Sequence, residues 1–250
     1  MSTKGVADII FCLDASSSMQ PCFDAVRTHI SEFVAGLESN QQTKWDWRLD
    51  FVAHCASEHS DGFTVFRHQS LYNEELSGPL YWKKGQGGRF FTTNLNEFRE
   101  GLGRVQVQGD EAPLVALDFC LDFPWRDEKN CHRIVIVMTD EPFETGASQK
   151  MQGEHLPMLI DKIQRLRVML FIVAPESQVF DELASVDKSE YEVVDDTGNG
   201  LSRVDFKKIL SYIGKSLSVQ TTQFSKAESV PRGLFGQENW GNTDRQITGR

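Results

Sequence analysis

Residues 7–19, Ala-Asp-Ile-Ile-Phe-Cys-Leu-Asp-Ala-Ser-Ser-Ser-Met, decide the fold. Residues 7–13 (ADIIFCL) are short and mostly apolar, the pattern of a strand buried on both faces. The run stops at Asp14, and oxygen-bearing side chains then recur at alternate positions: Asp14, Ser16 and Ser18. A loop leaving a strand end can turn alternate side chains towards one point. Mg²⁺ takes hard oxygen ligands in an octahedron at about 2.0–2.1 Å and keeps some of its water. One carboxylate and two hydroxyls suit it better than they suit zinc or copper. The same residues are also good helix caps, so this segment alone fits either role.

Outward from that strand the chain alternates. Residues 20–38 place Phe23, Val26, Ile30, Phe33, Val34 and Leu37 at helical spacing. Residues 45–55 and 62–67 (GFTVFR) read as strands, and their short connection allows a hairpin but no parallel crossover. Residues 70–91 break the pattern and read as a long loop carrying Tyr72, Tyr81 and Trp82. Helices are expected over 94–105, 112–122, 156–166, 176–185 and 203–217, with strands over 133–138, 168–173 and 191–194. Residues 142–155 are expected to be a loop. The order predicts an α/β fold: a mostly parallel central sheet, one antiparallel edge strand, and helices on both faces. Ligands of such sheets sit at the carboxyl ends of the strands.

A second buried strand, RIVIVM, runs into Thr139-Asp140-Glu141-Pro142, so another carboxylate stands at a strand's carboxyl end. If the two strands are sheet neighbours, Asp14 and Asp140 lie within one metal shell. Glu141 fits a solvated acid at a helix start, or an extra charge lining the site.

Asp14-x-Ser16-x-Ser18 after one hydrophobic strand, with Thr139-Asp140 after another, resembles the metal-ion-dependent adhesion site of von Willebrand factor A-type (vWA) domains. The order of elements agrees with that Rossmann-like fold over about residues 6–217. Residues 90–119 (FFTTNLNEFREGLGRVQVQGDEAPLVALDF) resemble the vWA stretch in which a helix leads to a Gly-Gly-Asp-x-Pro-Glu-Ala-like loop. The resemblance implies that Asp14 anchors the metal, Ser16 and Ser18 ligate through their hydroxyls, and Asp140 holds the ion from a third loop. The middle loop offers Asp110 or Glu111, with Thr92 and Thr93 as weaker candidates. Here the chain departs from the family, since Leu114 stands where many relatives have Glu. The implied cofactor is Mg²⁺, with Mn²⁺ or Ca²⁺ as alternatives. The implied function is metal-dependent binding of a protein that presents an Asp or Glu. Among relatives the chain is similar to intracellular bacterial vWA proteins of the tellurite-resistance type, which implies an adaptor working beside kinases, phosphatases or ATPases.

Composition bounds these readings. The chain has 250 residues and a net charge of -10, an acidic balance that argues against nucleic-acid or anionic-membrane binding. No apolar run approaches the roughly 18 residues of a membrane span. The five cysteines form no CxxC pair and the six histidines no zinc-like spacing, so a reducing cytoplasm is the expected compartment. An enzyme is not expected. A dehalogenase-type site needs Asp-x-Asp, but Ser16 holds the second position, and there is no P-loop or Gly-x-Ser-x-Gly elbow. The rival readings are a vWA fold with an idle site and, further off, a Mg²⁺-dependent phosphohydrolase. The vWA domain is expected over 1–218. Residues 219–250 read as a polar tail, flexible or docked to a partner.

Overall fold

The computed structural model describes residues 3–39, 43–56, 62–67, 75–77, 90–109, 111–127, 131–145, 149–186, 189–194 and 198–223. Five strands form an all-parallel sheet in the order β2-β1-β5-β6-β7. These are β1 (Thr3–Asp14), β2 (Thr43–Ala56), β5 (Cys131–Met138), β6 (Val168–Ala174) and β7 (Ser189–Val193). Beyond β2 lie β3 (Gly62–Arg67), antiparallel to β2, and β4 (Glu75–Ser77), antiparallel to β3. The expectation of a single antiparallel edge strand is not met as stated, since β3 is itself covered by β4. The segment containing β4 was expected to be all loop; its Tyr72, Tyr81 and Trp82 fall outside the described residues.

The helices are α1 (Gln20–Leu37), α2 (Leu95–Leu102), α3 (Pro113–Leu121), α4 (Gln149–Glu154), α5 (Leu156–Leu166), α6 (Gln178–Ala184) and α7 (Phe206–Gln223). Strand β1 explains the two-layer burial. Ala7, Ile9, Phe11 and Leu13 face a core shared with α1, α2 and α7, whereas Ile10 and Cys12 face one shared with α3, α5 and α6. Both faces are apolar because both are covered. Helices α1 and α7 approach backbone to backbone: a Cβ on Gly214 would lie 2.2 Å from the Phe33 carbonyl oxygen, and one on Gly36 2.5 Å from that of Ser211.

Three boundaries differ from expectation. Residues 142–155 are not a plain loop: Phe143–Thr145 form a 3₁₀ turn and α4 follows, its Gln152 side chain accepting the Leu114 N–H at 3.0 Å. The last helix extends to Gln223, past the residue 218 boundary, and the rest of the tail lies outside the described residues. Among the described residues no helix is long and apolar enough to cross a membrane.

Strand β1 carries an acid at each end. At the lower end Asp8, fully buried, receives Arg48 Nε and Nη2 at 2.6 Å each and Arg126 Nε at 2.7 Å. Burial pushes its pKa up, but the two guanidinium groups prevail and hold it below the usual value. The other end carries the candidate site.

Candidate metal centre

β1 is the strand from which the chain departs to both sides of the sheet, towards β2 and, later, β5. Its carboxyl end is therefore the topological switch point, where open α/β sheets bind ligands. Leu13 pairs with Met138, so Asp14 stands level with Thr139 on the neighbouring strand. Asp14 Oδ1 accepts the Ser16 N–H at 2.7 Å, and its Oδ2 accepts the Thr139 hydroxyl at 2.9 Å. The first bond bends the chain back over its own strand end. It brings the Ser16 and Ser18 hydroxyls within 3.2 Å of each other. Ser18 donates to Asp140 Oδ1 at 3.0 Å, which links the two strand ends. The backbone of Ala15 is held on both sides, donating to the His54 carbonyl and accepting from Gln108, each at 2.7 Å.

Glu111 completes the group from the loop before α3. Carboxylate oxygens of Asp14, Glu111 and Asp140 lie within 4.8 Å of one another, the one such group of acid, His or Cys side chains among the described residues. Two ligands facing each other across a cation with bonds of 2.0–2.6 Å are about 4–5 Å apart, so all three acids fit one coordination shell. Of the two middle-loop alternatives the structure thus brings in Glu111, while Asp110 lies outside the described residues. Thr92 is elsewhere: its backbone bridges Leu49 in both directions and its hydroxyl donates to Glu97 at 2.7 Å. Thr93 is exposed, and the cap of α2 is Asn94.

The charge balance is the site's main feature. Asp14 and Asp140 are fully buried, like Asp8, but the hydrogen bonds they accept come from neutral donors. Burial pushes Asp14 up to about 6, and the charge of Asp140 adds to this; His54, the Ser16 N–H and the Thr139 hydroxyl oppose it. The same burial and the same two aspartates push the Cys22 thiol up. Uncompensated buried carboxylates are costly unless protonated, paired or bound to metal. Three carboxylates and two hydroxyls are a hard-oxygen donor set, which fits Mg²⁺, Mn²⁺ or Ca²⁺ and not a thiol-seeking metal.

Two contributions were not foreseen. The turn before α7 clasps Asp140: the Gly200 N–H donates to Oδ2 at 2.5 Å and the Gly198 N–H to its backbone oxygen at 3.0 Å. Gly200 has φ +64°, and a Cβ there would lie 2.1 Å from the Ser18 carbonyl oxygen, so only glycine fits. The signal was Gly198-Asn199-Gly200, set in a polar stretch without period. His54 lies beside Asp14 on β2, buried, with no hydrogen-bond partner on either ring nitrogen among the described residues. A histidine inside an apolar strand was its only mark. Glu141 accepts the Thr145 hydroxyl at 2.9 Å and thus braces the 3₁₀ turn. All five cysteines are free thiols, four of them buried.

No family model and no curated relative matches the chain. Solved structures do. A von Willebrand factor type A protein from Catenulispora acidiphila superimposes with a TM-score of 0.52 at 15% identity, over 86% of this chain and 43% of that one. Proximal thread matrix protein 1 from the mussel byssus does so with a TM-score of 0.51 at 14% identity, over 87% of this chain and 47% of that one. The chain therefore spans less than half the length of either. At this identity the likeness shows the fold: this is a vWA-like α/β domain.

Proposed function

We propose that the protein is a binding module whose contact with a partner runs through a divalent cation, Mg²⁺ first among the candidates. The observation that carries this reading is the contrast between the two ends of β1. The buried acid at one end is neutralised by two arginines; the buried acids at the other meet only neutral hydrogen-bond donors. A cation supplied from solution restores the balance. Asp14, Asp140 and Glu111 would hold it with the Ser16 and Ser18 hydroxyls. Thr139 and Gly200 would keep the two aspartates aimed.

The bound cation would supply a coordination position to an oxygen of the partner, an Asp or Glu carboxylate. A charge-assisted contact in a partly dry interface can dominate specificity. The protein's own part is to position ligands, and a base or nucleophile poised beside the cluster is not required. Binding, not catalysis, is therefore the reading. The free thiols fit a reducing compartment such as the cytoplasm, where kinases, phosphatases or ATPases are the kind of neighbour an adaptor would join.

The test is calorimetric titration of the protein with Mg²⁺ and Mn²⁺ beside Asp14→Ala. Saturable binding by the wild type, lost in the variant, is expected; equal negligible binding by both removes the reading. Partner capture with and without chelator then asks whether association needs the cation.

A further inference from the structure

A shell of mostly neutral hydroxyls would leave a bound cation electron-poor and open to one outside carboxylate. The structure gathers three carboxylates instead. Resting on the cation-site reading above, we propose that Glu111 is an internal competitor. Its carboxylate holds the coordination position that a partner's Asp or Glu would take, and partner binding exchanges one carboxylate for the other.

Spacing, charge and anchoring support this together. All three acids have oxygens within 4.8 Å of one another, close enough for direct ligation by each. Three carboxylates already exceed the charge of a divalent cation by one. Adding a fourth to a buried cluster would oppose like charges at short range, where the interior screens them poorly. Exchange leaves the count unchanged. Of the three, Glu111 is the one placed to leave. Both oxygens of Asp14 are bonded, to Ser16 and Thr139, and both of Asp140, to Ser18 and Gly200. Asp14 and Asp140 are fully buried, whereas Glu111 is 7% exposed. It also has the longest arm and sits in the loop before α3 rather than at a strand end.

The experiment uses Mn²⁺ as the cation and acetate as the carboxylate probe. The relaxation of water protons reports how many waters sit on the bound Mn²⁺. Wild type, Glu111→Ala and Glu111→Asp are compared. Glu111→Ala should show higher relaxivity per bound Mn²⁺, because water fills the vacated position. Acetate should lower that relaxivity at a concentration about tenfold below any effect on wild type, given the relieved like-charge repulsion. Glu111→Asp keeps the charge on a shorter arm, and it should also rise above wild type in relaxivity. If the alanine variant does not fold, the aspartate variant decides alone. Equal relaxivity in wild type and variants, with the same acetate response, overturns the competitor role while leaving the cation site standing. No Mn²⁺ binding by wild type overturns the site itself.

Discussion

Replacing Asp14 by Asn should stabilise the cation-free protein at neutral pH and destabilise the protein in saturating Mg²⁺, relative to wild type. Asp14 is pushed up to about 6 from an ordinary 3.8, first by burial. The folded state therefore binds its proton more tightly than the unfolded state, and stability falls as pH rises between those values. Above about pH 6 the full penalty applies. A shift of about two units corresponds to about 3 kcal/mol at 1.36 kcal/mol per unit. Asparagine is isosteric and removes the charge. Its amide oxygen can still accept the Ser16 N–H, but its NH₂ then faces the Thr139 hydroxyl, which must turn to accept. Allowing about 1 kcal/mol for that rearrangement leaves a net gain of about 2 kcal/mol. With cation present the order reverses. Wild type gains about 2.7 kcal/mol at a cation concentration one hundred times its dissociation constant, and the variant, its main anchor weakened, gains little. Urea denaturation of both proteins at pH 5 and pH 8, in EDTA and in excess Mg²⁺, measures all four quantities. The difference between the two proteins isolates Asp14 from other titrating groups. An Asn variant less stable than wild type in EDTA at pH 8 would refute the reasoning, as would equal stabilisation of both by Mg²⁺.

Other perturbations probe the surroundings. Gly200→Ala places a Cβ 2.1 Å from the Ser18 carbonyl oxygen at φ +64°; a loss of about 2 kcal/mol or more in urea denaturation is expected, with weaker Mg²⁺ binding by calorimetry. Asp8→Asn strands two arginines at the far end of β1 and should cost about 3 kcal/mol without changing cation affinity. Because Asp8 is held below its ordinary value, its contribution is present above about pH 4 and fades as pH falls through the folded value, so wild type should lose its advantage over Asp8→Asn in acid melts. Gly214→Ala drives a Cβ to 2.2 Å from the Phe33 carbonyl oxygen and should lower the melting temperature by several degrees, at about 4 °C or less per kcal/mol for a domain this size.

The alternation of buried strands and amphipathic helices is visible in the sequence because each element carries its own period. The parallel core follows from fully apolar runs such as VMLFIV, which need cover on both faces. Asp14, Ser16, Ser18 and Asp140 are legible because two strand ends bear acids and one is followed by hydroxyls at alternate positions. Glu111 stayed level with Asp110 because two adjacent acids in a loop have no periodicity to separate them. Gly198 and Gly200 were missed for a different reason. They act through backbone N–H groups, which every residue has, so nothing in their side chains marks the contact with Asp140. Helix α4 was missed because QKMQGE has no apolar stripe and docks by a buried glutamine, Gln152. The lower acid, Asp8, gave no hint of its two arginines, which come from positions 40 and 118 residues away.

Strand β1 spans the core with one end sealed by the protein's own cations and the other end open to a cation it does not encode. On the reading proposed here, part of what completes the native state is a solute. The lifetime of this protein against proteases would then track the free divalent ion level around it, and a chelating environment would shorten that lifetime before any partner is involved.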